Sequence, residues 1–399
     1  MEGEGALFDV DTARALAVIS IGAFAIPLGC RRISLPAAVG EILYGVVVGP
    51  YVLGWVTPTD FIHLGAHLGF FMLMFIAGLE LDFRRIERVG RPALVRGASI
   101  AMMVMLGGFT VAYGFGWPWF TGMVMSAVSI GVPIALLQET GLGRKPLGQD
   151  LLLVGSVGEF FSILLATGVN AFASSGGWNL HFLRELAGLV AVFALAYLVL
   201  VILRTWVWWQ SEAFARVVES HDPSEVGVRA GLALMFVFVC VTTYLGIDPI
   251  LGAFLAGALF SFVFRARGPL ELKFMSLGNG FFVPFFFISV GLDFNLPKAL
   301  EGDFWLVLKM LISLFVVRVV AFLFVGSDEQ TPAEGVVGAL LLSAPLTLLV
   351  VVANLGLHLG FIDRSFHATV ILLAVLSAVF YPYLFKQVLR RVESPPPAA

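Results

Sequence analysis

The sequence predicts an all-α polytopic membrane protein of about thirteen transmembrane helices, with two inverted repeats and crossed discontinuous helices. Three observations lead there. Only 13% of the 399 residues are charged and 59% are apolar, with a mean hydropathy of +0.96, whereas a soluble domain runs near 25% charged. The apolar residues form continuous runs of helix length rather than the alternation of a barrel strand. The early runs share motifs with later ones. Too little polar surface remains to cover a water-facing globule, which excludes most soluble enzymes. A net charge of −3 leaves no basic footprint, so no nucleic-acid partner is expected. The apolar content excludes disorder, and the partner implied is a lipid bilayer.

Between breaker clusters the apolar segments are 11–30, 37–54, 61–82, 93–115, 119–139, 147–173, 181–209, 224–246, 247–264, 276–294, 304–326, 335–360 and 365–389. The first follows an acidic start (Glu2, Glu4, Asp9, Asp11) with no basic region before it, so it is expected to be a retained helix rather than a cleaved signal. The second opens after Pro36. The fifth and twelfth each carry a proline among small and hydroxyl residues, Ser126-Ala-Val-Ser-Ile-Gly-Val-Pro133 and Leu342-Ser-Ala-Pro345-Leu-Thr347, and are expected to be interrupted. After the thirteenth the chain ends in Ser394-Pro-Pro-Pro-Ala-Ala, and residues 390–399 read as a disordered cytoplasmic tail. Cys30 and Cys240 lie in or beside apolar runs and carry no disulfide or metal signal; no cofactor is expected.

Alternating the loops places Arg31, Arg32, Arg84, Arg85, Arg88, Arg91, Arg96, Arg144, Lys145, Arg204, Arg216, Arg229, Arg265, Arg267, Lys273, Lys386, Arg390 and Arg391 on one side. The other side holds Arg14, Arg184, Lys298 and Arg364. The positive-inside rule then puts the N-terminus outside and the C-terminus in the cytoplasm. The acidic loop with Asp328, Glu329 and Glu334 is a weak dissent, because acids contribute little to orientation.

The repeat reads as follows. Gly40-Glu-Ile-Leu-Tyr-Gly45 in segment two matches Gly252-Ala-Phe-Leu-Ala-Gly257 in segment nine. Gly69-Phe-Phe, Phe75-Ile-Ala-Gly-Leu79 and Asp82-Phe83 match Gly280-Phe-Phe, Phe287-Ile-Ser-Val-Gly-Leu292 and Asp293-Phe294. The matches stand seven segments apart, an odd number, so the copies start on opposite membrane faces. One membrane transport domain over 1–399 is expected, with repeats at 11–173 and 224–389 and a connector at 181–209.

Glu41, Glu159, Lys309 and Arg318 lie inside apolar runs, where each costs about 2.5–3.5 kcal/mol on insertion scales. Glu159 is the sharpest of them. Ser156 and Ser162 share its face at helical spacing, and Gly155 and Gly158 would let another element approach. Burial disfavours the charged form of a carboxyl and a neighbouring cation favours it, so such a group takes a proton or an alkali cation in competition. Arg318 stays charged when buried and needs a fixed partner, either a carboxylate such as Glu159 or the carbonyls of broken helices. Lys309 is near a segment end and reads as snorkelling. Glu41 reads as structural, and Asn354 and His358 as satisfied polar residues at one end of segment twelve.

Leu35-Pro-Ala-Ala-Val-Gly-Glu-Ile-Leu-Tyr-Gly-Val-Val-Val-Gly-Pro50 and Leu73-Met-Phe-Ile-Ala-Gly-Leu-Glu-Leu-Asp82 resemble the opening of monovalent cation:proton antiporter-2 (Kef-type, sodium-proton exchanger) membrane domains. The resemblance extends to Ser129-Ile-Gly131, Asp248-Pro-Ile-Leu-Gly252, Gly291-Leu-Asp293 and Ala344-Pro-Leu346. It implies a 13-helix antiporter fold in an inner (plasma) membrane, with a core of two crossed broken helices, a dimerisation domain, hence a homodimer, and elevator-like alternating access. It implies exchange of Na+ or K+ for H+, with Glu159 at the position of the ion-binding acid. Ser156, Ser129 and Thr347 assist, Arg318 stands where the family has Lys or Arg, and Ser162, Asn354, Glu41 and Lys309 are accessory. Where the family usually has two adjacent polar residues this chain has Gly158-Glu159, and one carboxylate points to one-for-one, electroneutral exchange. The alternatives are a gated K+ efflux pathway, against which the lack of a visible nucleotide-binding domain weighs, and an ion-coupled symporter of a small organic anion, for which the core helices have little polar lining.

Overall fold

The computed structural model describes residues 10–32, 35–81, 83–175, 179–209, 225–264, 269–297, 304–325 and 331–393. The start before Val10, the tail beyond Glu393, Asp82, Lys298, Arg216, Arg265, Arg267, Asp328 and Glu329 lie outside them. Every described element is helical: α1 (Val10–Arg32), α2 (Ala37–Val48), α3 (Asp60–Leu79), α4 (Phe83–Gly114), α5 (Trp119–Ser126), α6 (Gly131–Glu139), α7 (Pro146–Ser174) and α8 (Leu180–Trp209). These are followed by α9 (Val226–Tyr244), α10 (Pro249–Phe264), α11 (Pro269–Leu277), a π turn (Gly278–Phe282), α12 (Val283–Asp293), α13 (Phe304–Val325), α14 (Pro332–Leu342), α15 (Leu346–His358) and α16 (Arg364–Glu393). Among the described residues ten spans are long and apolar enough to cross a bilayer, Trp119–Leu137 and Leu270–Asp293 counting as one each. A pair bent by 48°, α14 with α15, and the shorter apolar helices at Ala37–Val48 and Pro249–Val263 correspond to the remaining three of the expected segments.

Four boundaries differ markedly from the sequence expectation. Segment ten, expected from 276, is helical from Pro269. Segment two, expected to 54, leaves helical geometry at Gly49, whose backbone is extended, because the residue before Pro50 is driven out of the α region. Segment four starts earlier, at Phe83. Residues 390–393, expected in the tail, continue α16, whose last turn carries Arg390 and Arg391, charges that favour a helix C-terminus.

Contacts divide the chain into two compact units. The first comprises Met1–Arg84 with Thr167–Asp293, the second Arg85–Ala166 with Phe294–Ala399. Each unit draws helices from both expected repeats.

In the first unit the packing is organised by glycines without a side chain between backbones. A Cβ on Gly45 of α2 would overlap Ile288 O and approach Gly291 Cα of α12, and one on Gly291 would overlap Ile42 O. Gly78 of α3 and Gly257 of α10 do the same to each other's helices, at Phe254 O and Phe75 O. Small residues permit such close approach in membrane helices, where contact rather than water exclusion drives association. Gly45 matches Gly257 in the repeat, and Gly78 matches Gly291. The two crossings are therefore interchanged when the copies are interchanged, the pattern a two-fold-related duplication produces. Gly280 and Gly291 are further apart in sequence than Gly69 and Gly78, and the wider π turn takes up part of the difference. Beside the α2–α12 crossing, Ala15, Ile19, Val48, Val56, Ile62, Phe285, Ile288 and Leu292 form an apolar cluster. We expect Gly291→Leu to force α2 from α12 and to lower the melting temperature of the purified chain sharply, while a lipid-facing change such as Phe24→Leu leaves it unchanged; thermal unfolding in detergent reads the difference.

Candidate functional site

Both interrupted helices lie in the second unit, and the interruptions fall where the proline motifs placed them. The first break is residues 127–130, between α5 and α6, with Pro133 in the first turn of α6, a position that tolerates proline. The second is residues 343–345, ending in Pro345 before α15. Each break leaves a carbonyl-rich C-terminal end (α5, α14) and an amide-rich N-terminal end (α6, α15), carrying partial negative and positive charge respectively.

Arg318, fully buried on α13, gathers the negative ends. Its Nε donates to Leu342 O of α14 at 2.8 Å. Its Nη1 donates to Met125 O of α5 at 3.5 Å and to Leu314 O one turn back on its own helix at 2.8 Å. Its Nη2 donates to Ala127 O in the first break. Of the two partners the sequence left open, the carbonyls are the ones in contact. A guanidinium suits this role because it fans several N–H groups from one permanent charge. Behind it, Tyr381 of α16 donates its hydroxyl to Leu311 O and stacks on Phe315, fixing the turns of α13 that precede Arg318.

Glu159 sits on α7 beside the positive end of α6, with 1% of its surface exposed. Ser129 Oγ donates to Glu159 Oε1 at 3.2 Å, and the backbone amide of Ile130 lies against the same carboxylate. Glu159 Oε2 is buried with no hydrogen-bond partner among the described residues. Such an orphaned oxygen costs about 1–3 kcal/mol, more when charged, unless a proton or cation satisfies it. The flanking glycines explain how α7 comes so close. A Cβ on Gly158 would press on Val128, and one on Gly155 on Ile130 and Leu342, at 2.8, 2.5 and 3.1 Å. Thr347, on the first turn of α15, directs its hydroxyl at the start of α6, 3.5 Å from where a Cβ of Gly131 would stand.

The two serines flanking Glu159 divide. Ser162 Oγ accepts from Val128 N at 3.0 Å and donates to Gly158 O at 2.8 Å and Ser126 O at 3.4 Å. It thereby satisfies the opened backbone of the first break. Ser156 instead donates to Leu152 O on its own helix at 2.8 Å. The accessory residues are elsewhere. Glu41 is buried in the first unit on α2. Lys309 is exposed near the start of α13. Asn354 is exposed on α15 and bonds through Oδ1 to Nε2 of buried His367 at 2.9 Å. Sequence reasoning missed Tyr381 and His367; the Tyr381-Pro-Tyr383 interruption of segment thirteen was the available signal for the first.

Comparison with known proteins identifies the family and the fold. The family model described as sodium/hydrogen exchanger, transmembrane, matches residues 16–391. YjbQ of Bacillus subtilis is 28% identical over 96% of this chain, and the chain spans 64% of that relative's length. The Na+/H+-K+ antiporter GerN of Bacillus cereus is 24% identical, covering 89% of this chain and 90% of its own. Among solved structures, the sodium proton antiporter MjNhaP1 of Methanocaldococcus jannaschii superposes with a TM-score of 0.63 at 16% identity, over 96% of this chain and 99% of that one, a likeness of fold. With a family model spanning nearly the whole described sequence and two broken helices meeting around a buried acid, the chain belongs to the transmembrane sodium/hydrogen exchanger family.

Proposed function

We propose that the protein is a plasma-membrane antiporter that exchanges Na+ or K+ for H+ at Glu159. The observation that carries the reading is one buried carboxylate with one oxygen held by Ser129 and the other without a protein partner. The ionised carboxylate, with the Ser129 and Thr347 hydroxyls and the carbonyls of the breaks, takes a partly dehydrated alkali cation. A proton arriving at the same carboxyl removes its charge, and the cation leaves. Ser156 joins the cation's ligands by turning its hydroxyl away from Leu152 O. The second unit serves as the moving core of an elevator-like cycle, the first as the framework of a homodimer, and the N-terminus faces outward. The interchange of glycine crossings supports an inverted duplication. A single carboxylate exchanges one proton for one cation, so the cycle moves no net charge. The experiment is lumenal pH in proteoliposomes under Li+, Na+, K+ or Rb+ gradients with the membrane potential clamped by an ionophore that does not carry the tested cation. Exchange with Na+ or K+ that ignores the clamped potential is expected. A rate that follows the potential overturns electroneutrality, and steady cation flux without proton movement overturns antiport.

A further inference from the structure

The N-terminal half of α3 carries an arrangement that neither the packing nor the exchange site uses. Asp60, His63 and His67 stand at i, i+3 and i+7, so one face of the helix presents a carboxylate and two imidazoles. His67 is exposed and His63 half-buried. The face that packs on α12 and the π turn is a different one: a Cβ on Gly65 would meet Phe285, and one on Gly69 would meet Phe282 O. The histidines are not part of the duplicated pattern either, since the matching stretch 270–293 contains none. Histidine is expensive in a spanning helix and by default marks a function there.

The two rings differ in a way that suits a metal ion. His67 Nδ1 lies 2.7 Å from His63 O. A carbonyl only accepts, so Nδ1 carries a proton, and in the neutral ring Nε2 is the nitrogen with the free lone pair. Backbone carbonyls orient metal-ligating histidines in just this manner. The His63 ring makes no hydrogen bond to any described residue, so either nitrogen is available. Histidines four apart on a helix lie on one face within reach of a common ion, the spacing zinc sites on helices use. Asp60, one turn earlier, adds negative charge on the same side. At 1.5 Å rise per residue His67 is about 10 Å along the helix from Asp60.

We propose that His63 and His67 form a binding site for a divalent transition-metal ion of the imidazole-preferring class, Cu2+, Zn2+ or Ni2+, with His67 Nε2 and one nitrogen of His63 as ligands and water completing the shell. His63 turns about its side-chain bonds to meet the ion. Binding is independent of the exchange reading, which uses other residues in the other unit.

The test uses the full chain, purified without a histidine tag. Cu2+ titrated into the wild type is expected to give one bound ion per chain whose electron paramagnetic resonance shows two imidazole nitrogens, and Zn2+ is expected to compete for it. His63→Ala and His67→Ala should each weaken binding at least tenfold, while His358→Ala, which removes a histidine on α15, leaves it unchanged. No stoichiometric copper in the wild type, or a spectrum without two imidazole nitrogens, overturns the proposal without recourse to any variant. So does binding that survives either alanine change.

Discussion

Replacing Glu159 by glutamine is expected to reduce cation-driven pH change in proteoliposomes to the leak of protein-free vesicles. Glutamine keeps the size of the side chain and can still accept from Ser129 Oγ, but it can neither hold a cation by charge nor release a proton. Folding should survive, because glutamine resembles the neutral acid and leaves no buried charge; the purified variant should elute and melt like the wild type. Two milder changes calibrate the result. Glu159→Asp retains the charge and shortens the reach to Ser129, now 3.2 Å. Ser129→Ala removes that donor outright. A hydrogen bond to a charged group is worth about 1.5–3 kcal/mol, so each should raise the half-saturating cation concentration roughly tenfold or more. A Glu159→Gln protein that still moves protons on a Na+ or K+ gradient would sink the assignment.

The second large effect is on stability. Arg318→Met should lower stability by about 3–5 kcal/mol, the scale seen when one partner of a buried charged contact is removed, and the melting temperature by roughly 4–6 °C for a chain of this length. The carbonyls of Leu342, Ala127 and Met125 would lose their shared donor. Water could reach them only by opening the core around a residue with no exposed surface. Arg318→Lys should fall between, since one ammonium cannot serve both α5 and α14 as the guanidinium does. Equal melting of Arg318→Met and wild type would show that the break ends are satisfied without it.

The parts of this architecture that were legible in the sequence are those written in period and in breaker residues. Hydrophobic length located the spans, proline among small residues located both breaks, and isolation in an apolar run marked Glu159 and Arg318. Direction was not legible. A long arginine side chain reaches several ångströms, and its position does not say whether it meets an acid or a helix end; the folded chain turns Arg318 to carbonyls on three helices and one break. Ser156 and Ser162 are equivalent by spacing from Glu159, but a helical serine always has its own carbonyl four residues back as an alternative acceptor. Ser156 takes only that option, while Ser162 also has the break within reach. Tyr381 lies in an apolar run where an aromatic carries no periodic signal, and its hydroxyl bond became visible only once α16 was packed on α13. The repeat was readable as glycine motifs, but that the matched glycines meet in exchanged pairs depends on which helices become neighbours.

The counter-charge of Arg318 has one further consequence. It consists of peptide dipoles, which have no proton to gain or lose. Had the guanidinium been balanced by a carboxylate, acidification would have dissolved the pairing and loosened the junction of the broken helices along with it. Balanced as it is, the junction keeps its electrostatic footing as the surroundings turn acid, and the nearby Glu159 can take up a proton without dismantling the scaffold that presents it.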